Sequence, residues 1–139
     1  MADLTITNTD VLDPGGGSVK EANAAEVIDA GEIVYLDASG TLQLATITSA
    51  TTAAAVGMAL NDAVAVGQPV KYKTNGNVTI STQATEVGDP YVVSSNAPGK
   101  LSLYEDVNII TGDFITHIGI MTTTTNLAIS IQASGVAKD

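Results

Sequence analysis

The sequence predicts an all-β fold, a small single-domain β-barrel or sandwich of about nine to eleven short strands with quasi-repeated hairpins. Three observations indicate it. Short runs of β-branched and aliphatic residues alternate with Gly, Pro, Asn and Asp, one Gly-opened segment recurs three times, and no segment sustains helical periodicity. The length of 139 residues fits one domain, and 45% apolar with 14% charged residues is unlike a disordered chain.

The N-terminal region combines a strand pattern with a Gly-rich break. Residues 4–9 alternate between apolar and polar side chains, and β-branched Thr and Ile suit a half-buried strand. Pro14 and three glycines then interrupt regular structure. Residues 18–30 leave two alternatives open, a helical turn over 21–25 or an extended arm. We therefore expect residues 1–30 to form an N-terminal strand and Gly-rich arm.

A repeated unit begins at Gly31, Gly67 and Gly88 and predicts three hairpins. In the first two copies, nine positions separate the opening glycine from the turn glycine, which is Gly40 in the first copy. Asn75-Gly76 occupies the turn of the second copy and is a strong hairpin signal, because both residues accept positive φ. The third copy has a longer turn.

Two return strands follow the first and third copies. Gly57 lies inside residues 55–60 and Gly119 inside residues 117–122, and an interior glycine predicts a bulge or a close backbone approach. The single His of the chain, His117, begins the second of these strands.

The last strand is predicted over residues 126–131, with Leu127, Ile129 and Ile131 on one face. It completes a β-domain spanning residues 31–134. Residues 135–139 are expected to form a loose tail.

Composition excludes several functional classes. The chain has no Cys, which excludes disulfides, a thiolate nucleophile and Cys-bound metal. It has no Arg and only five Lys against 15 acidic residues, a net charge of −10, so we expect no nucleic-acid binding. The N-terminus lacks a basic and apolar leader, and Ser and Thr interrupt the long uncharged run over residues 38–61. We therefore expect no membrane segment.

We expect no catalytic residue. His117 should be a partly exposed strand residue, with the opposite face carrying Phe114, Thr116, Ile118 and Ile120. Adjacent carboxylates such as Glu105-Asp106 would point to different faces of a strand, which makes them poor acid/base partners.

We also expect no metal ion and no cofactor. Asp10, Asp13 and Asp37 come nearest to a calcium loop, but they lack its alternating spacing and are typical of turns. Gly15–Lys20 lacks the phosphate-loop spacing and is predicted to be a flexible joint. The run Thr122–Thr125 is predicted to be a strand end and turn.

An ordered series of motifs covers nearly the whole chain. It consists of Ala2–Thr7, Ala30–Asp37, Val56–Leu60, Gly67–Val70, Gly76–Ile80 and Ile131–Lys138. This series resembles the small capsid cement, or decoration, proteins of tailed bacteriophages.

The resemblance implies a non-enzymatic virion protein, made in the host cytoplasm and bound to the outer capsid surface. Its partners would be the major capsid protein and two further copies in a homotrimer. It further implies that the arm within residues 1–30 contacts the capsid or a neighbouring subunit. The core is rich in small residues, with 19 Ala and 18 Thr in the chain, so we expect greater stability in the assembly than alone.

Two alternatives remain. One is another virion module, a head fibre or tail component. The other is a carbohydrate-binding surface domain, which would need exposed aromatic rings. The candidates are Tyr35, Tyr72, Tyr91, Tyr104 and Phe114, of which the first three recur at similar places in the repeats and are interpreted as structural.

Overall fold

The computed structural model describes residues 3–80 and 87–139 and contains nine β-strands within those residues. The strands are β1 (Ser18–Asn23), β2 (Ile33–Leu36), β3 (Leu42–Leu44), β4 (Gly57–Ala59), β5 (Pro69–Thr79), β6 (Pro90–Val93), β7 (Leu101–Leu103), β8 (Phe114–Met121) and β9 (Asn126–Ala137). Short 3₁₀ turns span Asn8–Asp10 and Tyr104–Asp106. The predicted all-β, single-domain fold is confirmed.

The strands form one curled antiparallel sheet, a half-barrel. Eight strands follow the order β3-β2-β4-β5-β9-β8-β6-β7, and β1 pairs with the opposite flank of β5. Two predicted hairpins are present: β2 turns into β3, and β6 turns into β7.

The second predicted hairpin is wrong, because residues 69–79 form the single strand β5. The strand pairs with β1 and β4 in its first half and with β9 from Asn75 onward. The pairing with β1 skips Thr74, since Ser18 faces Asn75 and Val19 faces Lys73. Positive φ at Gly76 (95°) therefore accompanies a bend within the strand rather than a reversal of it.

The sheet carries two buried clusters, one on each face. The main cluster lies inside the curl and includes Ile33, Met58, Val78, Ile118 and Leu127. The second cluster lies on the other face of β2, β4 and the first half of β5, and consists of Ala24, Ile28, Val34, Leu42, Ala59, Ala63, Val70 and Tyr72. Residues 24–28, which belong to the predicted arm, cover this second face and therefore form part of the folded domain.

The curl closes at a loop rather than at a strand ladder. The main-chain N–H of Ile33 donates to the Gly99 carbonyl, and the Gly99 N–H donates to the Ala45 carbonyl, both at 2.8 Å. A Cβ on Gly99 would lie 2.8 Å from Cδ2 of Leu44, so only glycine fits here without displacing that side chain. The two ends of the sheet thus meet around one residue.

The N-terminal segment differs from its prediction. Residues 4–9 do not form a strand; they lie extended across the main cluster, with Leu4 and Ile6 packed against it. The segment is attached by a Leu4 N–H bond to the Leu101 carbonyl and by paired main-chain bonds between Leu12 and Thr79. The predicted alternation of side chains is present, but the single main-chain bond from Leu4 to β7 does not amount to a strand ladder.

Residues 18–23 form β1, which rules out the helical-turn alternative over 21–25. At the other end, β9 continues beyond the predicted 126–131 to Ala137, and the Lys138 N–H bonds to the Asp113 carbonyl. The expected loose tail is therefore paired through most of its length.

Both interior glycines of the return strands allow close backbone approach, as predicted. A Cβ on Gly57 would collide with the carbonyl oxygen of Lys73, and one on Gly119 with that of Ala128. The register of β8 also shifts between His117 and Gly119, which is the expected bulge.

Candidate interaction surfaces

A buried lysine organises the Gly-rich loop. The Lys73 side chain is fully buried, and its Nζ lies 2.5 Å from Oδ1 of Asp13 and 2.6 Å from the Gly16 carbonyl oxygen. The Gly15 carbonyl is a third acceptor at 3.4 Å. The hydrogen bond from Lys73 is the main reason that the pKa of Asp13 is lowered. The predicted flexible joint is thus fixed by charge-assisted hydrogen bonds.

Asp37 stabilises the turn between β2 and β3. Its carboxylate accepts hydrogen bonds from the Thr41 hydroxyl (2.6 Å), the Gln43 amide (2.8 Å) and the backbone N–H groups of Ser39 and Thr41. Because these bonds favour the charged form, led by the Thr41 hydroxyl, the pKa of Asp37 is lowered to about 2. Burial, with a smaller effect of the Asp37 charge, raises the pKa of Tyr35.

Other acidic side chains also hold loops in place. Glu32 accepts the Asp29 N–H at 2.7 Å and pairs with Lys100 at 3.2 Å. Asp62 accepts the Ala30 N–H at 2.8 Å and the Asn8 side-chain amide at 2.8 Å. Among the described residues, no group of three His, Asp or Glu side chains could hold a metal ion.

His117 is half-buried in β8, and its Nδ1 lies 3.3 Å from the Ser130 carbonyl oxygen. Thr116 and Ile118 are buried on the opposite face, as predicted. Ile120 is 40% exposed, contrary to the prediction, because the register shift after His117 reverses the alternation and buries Met121 instead.

Two further predicted features lie in turns. Glu105-Asp106 belongs to the second 3₁₀ turn, so the expected strand geometry at this pair is wrong. Thr122–Thr125 connects β8 to β9, as predicted, and the Thr123 hydroxyl accepts the N–H groups of Thr125 and Asn126.

The aromatic side chains are mostly inside the molecule. Tyr35, Tyr72 and Tyr91 are at most 7% exposed, in agreement with their structural interpretation, and burial raises the pKa of Tyr72. Tyr104 is 52% exposed, and Phe114 is half-buried. Tyr104 is therefore the one well-exposed aromatic ring on which a carbohydrate could stack.

Exposed apolar side chains occur where residues 24–28 run beside residues 63–68. The Ile28–Ala63 bridge brings Val27 and Val64 to the same end of the molecule, and they are 57% and 73% exposed. Val66 belongs to the same segment and is 71% exposed. Isolated exposed valines are common on soluble proteins, but three in adjoining segments form a small apolar surface.

Two strand edges of the sheet are covered. Beside β3, the Ala25 N–H donates to the Leu42 carbonyl at 2.8 Å, and the Glu26 carboxylate accepts the Leu44 N–H at 3.0 Å. Beside β7, the Leu4 N–H bonds to the Leu101 carbonyl. These contacts occupy main-chain groups that could otherwise pair with another chain.

The distal half of β9 is protected differently. The strand extends beyond its pairing with β5, which ends at Ser130. Thr116 faces Ala133 and Phe114 faces Ala137, so β9 carries a bulge over residues 134–136. A bulge interrupts the flat run of donors and acceptors that a further strand would need.

The outer edge of β1 is open. Within the described part of the chain, β1 pairs with β5 alone, and its residues are exposed except for half-buried Ala22. Lys20 and Glu21 lie at its centre. Its register against β5 shifts only between Ser18 and Val19, where the extra residue, Thr74, belongs to β5, so β1 itself carries no bulge.

No protein-family model matches the chain, and a comparison with curated proteins finds no match. In the residues that the structure describes, no helix has the length and apolar character needed to cross a membrane.

Proposed function

We propose that this protein is a capsid cement protein, a virion component that binds the outer surface of a phage shell and stabilises it. The observation that carries the proposal is the ordered series of motifs, which resembles that family over nearly the whole chain. The partners are the major capsid protein and, in a homotrimer, further copies of this chain.

The charge distribution supports a position outside the shell. The net charge is −10, and two of the five lysines, Lys73 and Lys100, pair with carboxylates of the same chain. An acidic surface is repelled by packaged DNA, which favours the outer face.

The use of polar groups supports a binding role rather than an enzymatic one. Asp13, Asp37, Glu32 and Asp62 each hold a loop or turn through hydrogen bonds within the chain. The open edge of β1 and the small apolar surface at Val27 offer contacts for another protein.

Co-sedimentation with expanded shells that lack the protein tests the proposal. We expect saturable binding to the shells and a trimeric molar mass in light scattering. Electron microscopy of the particles distinguishes cement from a head fibre or tail component by where the added density lies. Absence of binding to the shells would overturn the proposal.

Stability in the assembly provides a second test. Seven of the 28 buried apolar residues in the described part of the chain are alanines, which bury little apolar area each. Scanning calorimetry should therefore show a higher unfolding temperature for the shell-bound protein than for the free protein. Equal unfolding temperatures would contradict the stabilising role of the assembly.

A further inference from the structure

The open edge of β1 is rigidly supported. All six residues of the strand face residues of β5. At one end, the Thr74 hydroxyl donates to the Ser18 carbonyl at 3.2 Å, and at the other the Ala24 N–H donates to the Gln68 carbonyl at 2.8 Å. Ala22 packs against the second buried cluster. A strand added here would find its partner already ordered, so less conformational entropy would be lost on binding.

We infer that the outer edge of β1 docks an extended segment of a different protein, and that Lys20 and Glu21 prevent the same edge from pairing with a second copy. That this partner is the shell subunit rests on the proposed function. The discrimination against self-pairing does not depend on that function.

Two copies joined through β1 would be related by a twofold axis perpendicular to the sheet. That axis keeps each residue on its own face, so residues that face each other must be separated by an even number of positions or be identical. Pairing residues 18–22 with themselves centres the register on Lys20, and pairing residues 19–23 centres it on Glu21. Other registers pair a shorter stretch of the strand.

Both long registers therefore place like charges directly opposite each other, Lys20 against Lys20 or Glu21 against Glu21. Like charges opposite each other destabilise a strand pair, whereas opposite charges stabilise it. A different chain is free of the symmetry and can place an acidic residue opposite Lys20 and a basic residue opposite Glu21. The geometry thus favours a partner strand with adjacent acidic and basic side chains.

The first experiment measures self-association and needs no shell. The double variant Lys20→Thr with Glu21→Thr removes both charges and retains residues suited to a strand. We expect light scattering over a concentration series to show at least twice the wild-type molar mass, because every copy in an oligomer carries a β1 edge that can pair. The matched control, Lys138→Thr with Glu105→Thr, makes the same charge changes at exposed sites outside β1 and should keep the wild-type mass.

A third variant links the effect to charge at the edge. Glu21→Lys keeps like charges opposite in both long registers, so its molar mass should equal that of the wild type. If the double Thr variant fails to double in mass while urea unfolding shows it to be folded, the inference is overturned. Doubling of the control variant would overturn it as well.

The second experiment measures binding to expanded shells. The charge exchange Lys20→Glu with Glu21→Lys should weaken binding about tenfold, because two cross-strand charge pairs become repulsive. The control exchange, Lys138→Glu with Glu105→Lys, should bind like the wild type. If the wild type binds and the β1 exchange binds equally well, the docking inference is wrong. If the wild type does not bind, the proposed function is wrong. The self-association experiment then still tests whether Lys20 and Glu21 prevent pairing of two copies through β1.

Discussion

Two segments with the same glycine spacing have opposite structures. Residues 31–44 reverse direction at Gly40 and form the β2–β3 hairpin, whereas residues 67–79 continue past Gly76 as one strand. In the first, Asp37 accepts hydrogen bonds from its own turn. In the second, Lys73 bonds to a loop sixty positions earlier in the chain, and β9 continues the pairing beyond the bend.

The difference shows that the conformation of a turn motif depends on the segments that pack beside it in the fold. Asn75-Gly76 can adopt a hairpin turn, but β9 and the Gly-rich loop offer the same residues main-chain and packing contacts on both sides. The first turn is stabilised locally, and the second site is stabilised by contacts distant in sequence. Substitutions in the two segments should therefore act differently.

The largest effect should come from Lys73→Met. Removing the ammonium leaves Asp13 and two glycine carbonyls without their shared charged donor, and the loss of these hydrogen bonds should lower the free energy of unfolding by about 3 kcal/mol. Urea unfolding measures it. Lys71→Met is the matched control, because Lys71 is an exposed residue of the same strand, and it should change stability by less than about 0.5 kcal/mol. Equal losses in the two variants would show that the loop contact is unimportant.

An intermediate loss of stability should distinguish Gly76, at the bend of β5, from Gly40, in the turn between β2 and β3. Both have positive φ, but a Cβ on Gly76 would lie 3.0 Å from the Gly17 Cα, whereas one on Gly40 would meet nothing within 4 Å. We expect Gly76→Ala to cost about 2 kcal/mol from backbone strain and crowding, and Gly40→Ala about 1 kcal/mol from strain alone. The difference in urea midpoints measures this, and a larger loss at Gly40 would reverse the comparison.

The smallest effect should be a pH dependence of the first segment. The pKa of Asp37 is lowered from 3.8 to about 2 by its hydrogen bonds, so its stabilising contribution is complete above about pH 4 and is lost as the pH falls toward 2. Asp37→Asn should reduce the loss of stability over that range in urea unfolding. Asp139→Asn makes the same charge change outside the turn and serves as the control. An unchanged acid slope in Asp37→Asn would contradict the assigned hydrogen bonds.

The sequence allowed the fold class, two of three hairpins and both close-approach glycines to be predicted, because alternation and glycine placement are local signals. The second predicted hairpin was wrong because the conformation at Asn75-Gly76 depends on β9, some fifty residues later. The burial of Lys73 was also missed, since lysine is rarely fully buried and only the folded Gly-rich loop supplies its acceptors.

The candidate docking edge was only partly foreseeable. Strand content indicated that edges would exist, and residues 1–30 were expected to make contacts between proteins. Which edge stays open depends on tertiary contacts, such as the one between Glu26 and the Leu44 N–H that covers β3. Lys20 and Glu21 gain significance only once β1 is known to be that edge.

The position of β9 in the strand order has a consequence for synthesis of the protein. Its residues, 126–137, lie between β5 and β8 in the interior of the sheet, although they follow the other eight described strands in the chain. During translation, β5 and β8 therefore lack the strand that joins them until that segment leaves the ribosome. Until then the emerging chain exposes two pairing edges that β9 fills in the folded sheet, and such unpaired strand edges are prone to associate with other chains.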